Sequence, residues 1–432
     1  MKRSIYSQLL EWKSRKGHKP LIVNGARQVG KTYILREFGA NEYAKLAFFS
    51  LDRDKRVAEV FEKGGNVADI LLALSAISQT DISPNDTLVV LDEIQACPKA
   101  LEALKYFCED APDVHVIVAG SLLGLSLHGG VSYPVGKVEE LRIYPMTFIE
   151  FLDAMGKTQL ASLLNEQKWQ VIGMLETEFT SLLRQYYYVG GMPAAVLAHV
   201  EQRGLNAVRK IQTQIIADYR RDFSKHAPER EVPRINMVWD SIPAQLAKEN
   251  KKFIYGAVRK SARATDFELA IQWLIDAGLA YKVTRVSSPH MPLKFYEDAG
   301  VFKLFMLDVG LMGAMAATSA ESMLVNNDIF SEYKGAFTEL YVFTQLKALE
   351  LPLYYHSVDN STIEIDFLTQ RGNAVVPIEV KAEVNVKSKS LHTFINKNPE
   401  LKGIRFSMLP YQEQDWMTNI PLYACMAIWE PK

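Results

Sequence analysis

The chain has 432 residues, of which 48% are hydrophobic and 23% charged, as is typical of a globular protein with a large core. Its 49 Lys and Arg residues and 50 Asp and Glu residues give a formal net charge of -1, which excludes a uniformly basic nucleic-acid-binding protein and leaves only a local patch for such contact. No run approaches the roughly 20 apolar residues of a membrane span. The three cysteines lack metal-ligand spacing, so we expect a cytoplasmic protein of two or three domains without membrane contact.

Residues 1–222 alternate apolar, strand-like runs with helical stretches, a pattern that predicts a parallel α/β sheet. The predicted strands cover 21–24, 45–51, 87–91, 114–119 and 138–144, and helical stretches at 32–38, 67–77 and 99–108 separate them. A mainly helical region follows from about 147 to 222, with an interruption at G190-G-M-P.

The first predicted strand runs into G25-A-R-Q-V-G-K-T32, which fits the pattern G-x-x-x-x-G-K-[ST] in full. In such a loop, backbone N–H groups and the helix N-terminus bind phosphate oxygens, and the glycines allow the phosphates to approach closely. Lys31 is predicted to reach the β- and γ-phosphates and Thr32 to bind Mg²⁺. We therefore predict a site for ATP or GTP formed by Gly25, Ala26, Arg27, Gln28, Val29, Gly30, Lys31 and Thr32.

The third predicted strand ends in two acids, in the sequence T87-L-V-V-L-D-E. Asp92 is predicted to help hold Mg²⁺, and Glu93 is predicted to polarise the attacking water. Such an acid pair is common after strands, but the phosphate loop upstream makes it specific. Ser121, after the fourth strand, is a candidate sensor of the γ-phosphate or a small residue in a strand-end turn.

Four segments together resemble a bacterial and archaeal family of AAA-type P-loop ATPases whose members carry a C-terminal domain related to restriction endonucleases. They are G-A-R-Q-V-G-K-T, V-V-L-D-E-I-Q, I-V-A-G-S and Y-P-M-T-F-I-E-F. The stretches G190-G-M-P-A-A-V and W273-L-I-D-A-G-L are also similar to family segments, so the resemblance covers most of the chain. It implies ATP and Mg²⁺ as ligands and the sheet order 5-1-4-3-2. A homo-oligomer or a protein partner would also be in keeping with it.

ATPases of this kind usually complete their site with an arginine, often from a neighbouring subunit. The candidates are Arg142, Arg184, Arg220 and Arg221, each of which could equally be an ordinary surface or salt-bridged residue.

A polar stretch at 224–234 holds two prolines and predicts a linker. Residues 248–263 then contain six basic residues and one acid, followed by a helical stretch and a hairpin of predicted strands at 279–286 and 293–297. Helices followed by a hairpin are typical of a winged helix-turn-helix, which binds DNA through one helix or serves as a lid or protein contact. DNA or RNA is therefore a candidate partner.

Residues 301–432 return to an α/β pattern, with a helix near 333–349 and strands near 353–357, 363–369 and 374–381. Asp366 lies in one strand, and Glu379 and Lys381 share a face of the next, because side chains two apart point the same way. This D-x(n)-E-x-K pattern resembles restriction-type nucleases, with Glu339 on the preceding helix as a further acidic ligand and Ile365 where a proline often stands. Carboxylates beside a lysine can bind Mg²⁺ and activate water. E-x-K alone occurs seven times here, so only its strand context is informative.

These patterns predict an AAA-type P-loop ATPase domain with a helical extension (1–222), a linker with a winged-helix-like module (223–300) and an α/β restriction-endonuclease-like domain (301–432). The predicted function is Mg²⁺-dependent ATP hydrolysis coupled to nucleic-acid binding or cleavage, with Asp366, Glu379 and Lys381 as the catalytic residues of cleavage and Glu339, Asp366 and Glu379 as its metal ligands. The alternative is a nucleotide-operated interaction switch, in which an inactive nuclease-like domain keeps a structural ion-pair cluster and binds a protein.

Overall fold

The computed structural model describes residues 1–121, 133–248, 251–320, 324, 331–358, 363–382 and 388–429, with side chains from 334 onward in the helix that begins at Ser331. The chain divides into two compact units, Met1–Tyr144 with Asp276–Gly278, and Pro145–Ile275 with Leu279–Lys432. Among the helices of the described residues, none is long and apolar enough to cross a lipid bilayer.

A five-stranded parallel sheet forms the centre of the first unit. Its strands are β1 (Leu21–Asn24), β2 (Lys45–Ser50), β3 (Thr87–Asp92), β4 (His115–Gly120) and β5 (Glu139–Arg142), in the spatial order β2-β3-β4-β1-β5. The helices are α1 (Ile5–Ser14), α2 (Lys31–Glu42), α3 (Lys55–Lys63), α4 (Val67–Ser78) and α5 (Pro98–Asp110). The predicted order 5-1-4-3-2 is therefore confirmed.

The carboxyl ends of these strands meet at one edge of the sheet. Asn24 at the end of β1 pairs in register with Gly120 of β4 and with Arg142 of β5, and Ser50 of β2 pairs with Asp92 of β3. All residues of β3 and β4 are buried, as expected for parallel strands covered on both faces. The loops that follow the strands consequently emerge side by side, where ligands bind in open α/β sheets.

The second unit combines helices with an eight-stranded mixed sheet, whose order is β12-β13-β11-β10-β9-β8-β6-β7. Its strands are β6 (Ala280–Val286), β7 (Glu297–Met306), β8 (Tyr354–Ser357), β9 (Glu364–Arg371), β10 (Ala374–Val380), β11 (Gly403–Ser407), β12 (Gln412–Glu413) and β13 (Met417–Pro421). The helices are α6 (Phe148–Ala154), α7 (Thr158–Asn165), α8 (Trp169–Met174), α9 (Glu176–Val189), α10 (Pro193–Val200), α11 (Leu205–His226), α12 (Val232–Leu246), α13 (Tyr255–Val258), α14 (Ala264–Asp276), α15 (Val309–Met315), α16 (Ser331–Ala348) and α17 (Lys389–Lys397).

The linker predicted at 224–234 is wrong, because most of this stretch is helical. Helix α11 continues to His226 and α12 begins at Val232, with a single 3-10 turn at Glu229–Glu231 between them. Pro233 lies in the first turn of α12, where a missing N–H costs nothing, so this proline begins a helix instead of excluding one.

The predicted hairpin exists, but its second strand begins at Glu297, after a 3-10 turn at Leu293–Tyr296. Strand β6 also pairs in parallel with β8, so the hairpin belongs to the same sheet as the C-terminal strands. The winged-helix-like module predicted at 223–300 therefore shares its sheet with the residues that follow, and its boundary at 300 falls inside β7.

A buried carboxylate joins the G190-G-M-P turn to α15 inside the second unit. Asp308 is 1% exposed, and its carboxylate accepts hydrogen bonds from the N–H groups of Gly191 at 2.6 Å and Leu311 at 2.9 Å. A Cβ on Gly191 would lie 2.1 Å from the Met146 carbonyl oxygen, so this position requires glycine. Burial raises the pKa of Asp308 to about 6, against the opposing effect of its N–H donors.

We predict that Asp308→Ala destabilises the second unit, because it removes the cap of α15 and leaves the Gly191 N–H buried without its acceptor. The loss should be about 2–3 kcal/mol of unfolding free energy, measured by urea denaturation. Asp240→Ala, which removes the exposed partner of Arg220, is the matched control and should unfold near the parent midpoint. An unchanged midpoint for Asp308→Ala would contradict this role.

Candidate functional site

The loop from Gly25 to Gly30 connects β1 directly to the N-terminus of α2. Gly30 has a φ of 97° and Gln28 a φ of 66°, so the chain turns through left-handed conformations before the helix begins. A Cβ on Gly25 would lie 2.4 Å from the carbonyl oxygen of Ile143, so this position also requires glycine. Ala26 and Val29 are buried, whereas Gln28 is exposed. The backbone N–H groups of such a loop and of the first helical turn form a site for an anion.

The first residue of α2, Lys31, is 6% exposed. Its ammonium group donates hydrogen bonds to the carbonyl oxygens of Gly25 and Ala26, both at 2.8 Å. Burial lowers the pKa of Lys31 to about 8, although the negative charges of Glu93 and Asp92 act in the opposite direction. Because these carbonyl groups are neutral, negatively charged phosphate oxygens can replace them as the hydrogen-bond acceptors of the Lys31 ammonium.

Thr32 and Asp92 bring oxygen ligands together from two elements of the first unit. The Thr32 hydroxyl donates to Asp92 Oδ2 at 2.7 Å, and the Glu93 N–H donates to Asp92 Oδ1 at 3.1 Å. Asp92 is 5% exposed, and burial raises its pKa while the Thr32 hydrogen bond lowers it. A hydroxyl and a carboxylate are oxygen ligands of the type that Mg²⁺ prefers, so these residues fit the ion that the sequence predicts.

Glu93 directly follows Asp92 in a left-handed conformation with a φ of 56°. For a residue other than glycine this conformation costs about 1 kcal/mol or more, and such strain concentrates at functional positions. The Gln95 side-chain amide donates to Glu93 Oε2. The backbone turn and this hydrogen bond fix the Glu93 carboxylate, whose negative charge acts on the pKa values of both Lys31 and Asp92.

In the second unit, the predicted catalytic acids lie on neighbouring strands. Ile378 of β10 pairs with Phe367 of β9, and Glu379 and Asp366 are the next residues along these two antiparallel strands. Asp366 Oδ2 accepts from the Val380 N–H at 2.7 Å, and the Lys381 ammonium lies 3.3 Å from Glu379 Oε1. Burial and then the negative charge of Glu339 raise the pKa of Asp366 to about 7. The structure therefore places the Asp366 carboxylate against the backbone of β10, and Lys381 beside Glu379.

Glu339, on α16, is paired with two lysines that the sequence did not single out. It is 1% exposed; its Oε1 lies 3.0 Å from the Lys303 ammonium, and its Oε2 accepts from Lys251. Lys303 has no exposed side-chain surface and also lies 2.7 Å from Glu364 Oε1. Burial alone would raise the pKa of Glu339, but the charges of Lys251 and Lys303 outweigh it and lower that pKa.

The predicted metal set of Glu339, Asp366 and Glu379 does not fit a divalent ion in this arrangement. Both carboxylate oxygens of Glu339 are engaged by ammonium groups. In the part of the chain that the structure describes, no three His, Cys, Asp or Glu side chains are placed to hold a metal ion. Glu379 Oε2 is the remaining acceptor, since it is buried and has no hydrogen-bond partner among the described residues.

Comparison with known proteins identifies the N-terminal part of the chain. Residues 17–152 match the family described as AAA domain. On the basis of this match, residues 17–152 are called the AAA domain below. Residues 180–322 and 334–425 match two families that are each described as a domain of unknown function, DUF8612 and DUF4143. A comparison with curated proteins gave no match.

Several solved structures resemble the chain at low sequence identity. A Walker-type ATPase of Pyrococcus abyssi is 14% identical, with a TM-score of 0.47 over 73% of this chain and 95% of that one. Cdc6p from Pyrobaculum aerophilum is 13% identical, with a TM-score of 0.28 over 75% and 96%. The Aeropyrum pernix ORC1 protein, in a complex with DNA, is 14% identical, with a TM-score of 0.23 over 74% and 92%.

Two further predicted residues lie at the edge of the sheet where the carboxyl ends of the strands of the AAA domain meet. Ser121 is 3% exposed and directly follows Gly120, which pairs with Asn24 at the start of the phosphate loop. Arg142 ends β5 on the other side of Asn24 and is exposed. Arg27 is half-buried within the loop itself.

The other candidate arginines lie in the second unit. Arg220 pairs with Asp240 and Arg221 with Asp218, each at 2.6 Å, as ordinary surface ion pairs do. Arg184 lies on α9 and is partly buried. Of the four arginines, the structure places Arg142 alone in the AAA domain.

The sequence interpretation did not connect Lys303, Lys251, Glu364 or Arg405 with these acids, and it noted Lys251 only as part of the basic run 248–263. One signal was available, because Lys303 is a lone charge in the apolar run V301-F-K-L-F-M, and a buried charge requires a partner. Arg405 of β11 pairs in register with Glu379 and is 5% exposed. For Lys251, Glu364 and Arg405 no comparable local signal exists.

We predict that ATP affinity depends on the protonation of Lys31. The charged form prevails below the pKa of about 8 and is lost as the pH rises through that value. Each pH unit above the pKa removes a further tenfold of the charged form, so the Kd should be flat at neutral pH and about tenfold higher near pH 9. Calorimetric titrations across this range measure it. Lys31→Arg, which stays charged, should show no such rise; an equal rise in both proteins would contradict the assignment.

Proposed function

We propose that the AAA domain binds MgATP and hydrolyses it. The single observation that carries this proposal is the convergence at one sheet edge of the Lys31 ammonium on the loop carbonyls and the Thr32–Asp92 hydrogen bond of 2.7 Å. A glycine-rich turn without a nucleotide would need neither a buried lysine at the helix start nor a strand-end carboxylate beside it, because burying both charges costs free energy.

Each step of binding has a residue in this arrangement. Loop and helix N–H groups would bind the phosphate oxygens, and Lys31 would leave the carbonyls of Gly25 and Ala26 for the β- and γ-phosphates. Thr32 and Asp92 would hold Mg²⁺, which when bound neutralises charge on the phosphate oxygens. Glu93, fixed by its backbone turn and by Gln95, would orient and polarise the attacking water. Ser121 and Arg142 would face the γ-phosphate from the neighbouring strand ends.

Substitutions of Lys31 and Glu93 should separate binding from hydrolysis. Lys31→Ala removes the phosphate-binding charge and should abolish measurable ATP binding in calorimetry. Glu93→Gln keeps the shape and the phosphate contacts, so it should bind ATP like the parent while its turnover falls by about a hundredfold or more. Glu62→Gln, at an exposed position on α3, is the matched control and should hydrolyse ATP at the parent rate. Equal turnover by Glu93→Gln and the parent would reject Glu93 as the residue that activates water.

Coupling of hydrolysis to nucleic acid is the finer part of the proposal. In the basic run 248–263, Arg259, Lys260 and Arg263 are exposed, whereas Lys251 is engaged by Glu339. A local group of exposed cations is what contact with phosphate backbones requires. Cleavage by Asp366, Glu379 and Lys381 has one supporting observation, the buried Glu379 Oε2, which has no hydrogen-bond partner among the described residues.

The second candidate function is a nucleotide-operated switch whose nuclease-like domain is inactive and binds a protein partner. The pairing of Glu339 with Lys251 and Lys303 favours it, because a carboxylate held by two ammonium groups is not available to a divalent ion. Both candidates include ATP hydrolysis, so only assays of the second unit separate them.

We predict that the full chain binds DNA or RNA in a salt-sensitive manner through its exposed basic residues. Replacing Arg259, Lys260 and Arg263 by alanine should weaken binding about tenfold or more at low salt and reduce the salt dependence. Alanine at Lys63, Lys168 and Lys402, three exposed lysines elsewhere, is the matched control. Equal binding by both triple variants in gel-shift titrations would remove this segment from the interface.

The same reactions, with Mg²⁺ or Mn²⁺ and with or without ATP, also test cleavage. The matched control is Asp415→Ala, at an exposed position between β12 and β13. Products formed by the parent and by this control but not by Asp366→Ala would favour the nuclease. Intact nucleic acid under every condition, with ATP turnover preserved, would favour the switch.

A further inference from the structure

Lys303 lies at the centre of a closed group of charges in the second unit. It projects from β7, its side chain has no exposed surface, and its ammonium lies 3.0 Å from Glu339 and 2.7 Å from Glu364. The ring of Tyr355 lies 4.9 Å from the same nitrogen. The ammonium therefore has two carboxylates and an aromatic face as its surroundings, all of them favourable for a cation.

The neighbouring acids depend on this nitrogen for charge balance. Glu339, on α16, and Glu364, on β9, approach it from different elements, and Asp366 lies two residues after Glu364 on the same face of that strand. Carboxylates brought this close repel one another unless a cation lies among them. In nuclease-like sites that cation is a divalent metal, whereas here it is a side chain of the protein.

Lys251 lies on the solvent side of this group of charges. It binds the second oxygen of Glu339, and its side chain is 16% exposed, so it lies nearer to solvent than Lys303. It reaches Glu339 from a left-handed backbone conformation, with a φ of 48°. The inner and outer lysines together place an ammonium group on each oxygen of Glu339.

We infer that Lys303 is the resident cation of this acid cluster, taking the place of a divalent ion, so that the second unit holds its carboxylates without a metal. This inference does not rest on the proposed ATP hydrolysis. It makes Lys303 a positioning residue for Glu339 and Glu364, and it assigns the cluster a fixed internal counter-charge. The Lys303 ammonium can move out of the acid cluster only if another cation replaces it.

The parent chain provides the first test, in the absence of nucleotide and after treatment with a chelator. Mn²⁺ titrated into the full chain should give no calorimetric heat assignable to the cluster and no change in the melting temperature of the second unit. Binding of Mn²⁺ by the parent that disappears in Glu339→Gln would overturn the inference.

The second test removes the lysine. Lys303→Met keeps a long, unbranched side chain but removes the inner ammonium from Glu339, Glu364 and Asp366, so this variant should melt below the parent. Mn²⁺ at about a hundredfold excess over its Kd should then raise the melting temperature by roughly 5–10 °C. Lys251→Met, which keeps the inner lysine, is the matched control and should not respond to Mn²⁺.

The outcomes separate clearly. A Mn²⁺ response in Lys303→Met that is lost in the double variant Lys303→Met/Glu339→Gln supports the inference. A folded Lys303→Met that melts like the parent and ignores Mn²⁺ overturns it, because the lysine would then carry no cationic role. If Lys303→Met is insoluble, the parent titration decides alone, with no binding in support and binding against.

Discussion

The free-energy cost of removing a charge from water determines how both candidate sites are arranged. In the AAA domain, the buried ammonium of Lys31 rests on two backbone carbonyl oxygens, which are neutral dipoles. In the second unit, the more deeply buried ammonium of Lys303 rests on two carboxylates. A triphosphate can compete with dipoles for a cation, but it competes poorly with carboxylates already in contact. The first arrangement therefore suits a site that exchanges its ligand, and the second suits a cluster that keeps its partners.

Much of the AAA domain can be predicted from sequence because its signals are local. The G25-A-R-Q-V-G-K-T32 motif fixes a strand, a loop and a helix within about a dozen residues, and the Walker-type strand ending in Asp92 needs only an apolar run before it. The order of the strands came from the resemblance to a family, not from the periodicity of the residues. The Thr32–Asp92 contact follows once that order is known, because β1 and β3 end at the same edge.

The second unit was harder to predict because its decisive contacts join distant segments. Glu339 is 36 residues from Lys303 and 88 residues from Lys251 along the chain. The residues near each lysine in sequence do not indicate that Glu339 is its partner. The hairpin was predicted, but its first strand also pairs in parallel with β8, some 70 residues later in the chain. The module that was predicted to be separate is therefore part of one larger sheet. The linker error had a local cause, since prolines in a polar stretch indicate a break unless, like Pro233, they occupy the first turn of a helix.

The position of β1 in the sheet has a consequence for the newly made chain. Leu21 is hydrogen-bonded in register with Ile117 and Glu139, and Gly25 packs on the carbonyl of Ile143. The phosphate loop thus leaves the ribosome early, while the strands that flank it are translated some hundred residues later. At a translation rate of roughly 5–20 residues per second, the strands that pair with β1 are made on the order of 5–20 seconds after it. The sheet that holds this loop on both sides is therefore complete only after the edge strand β5 has been translated.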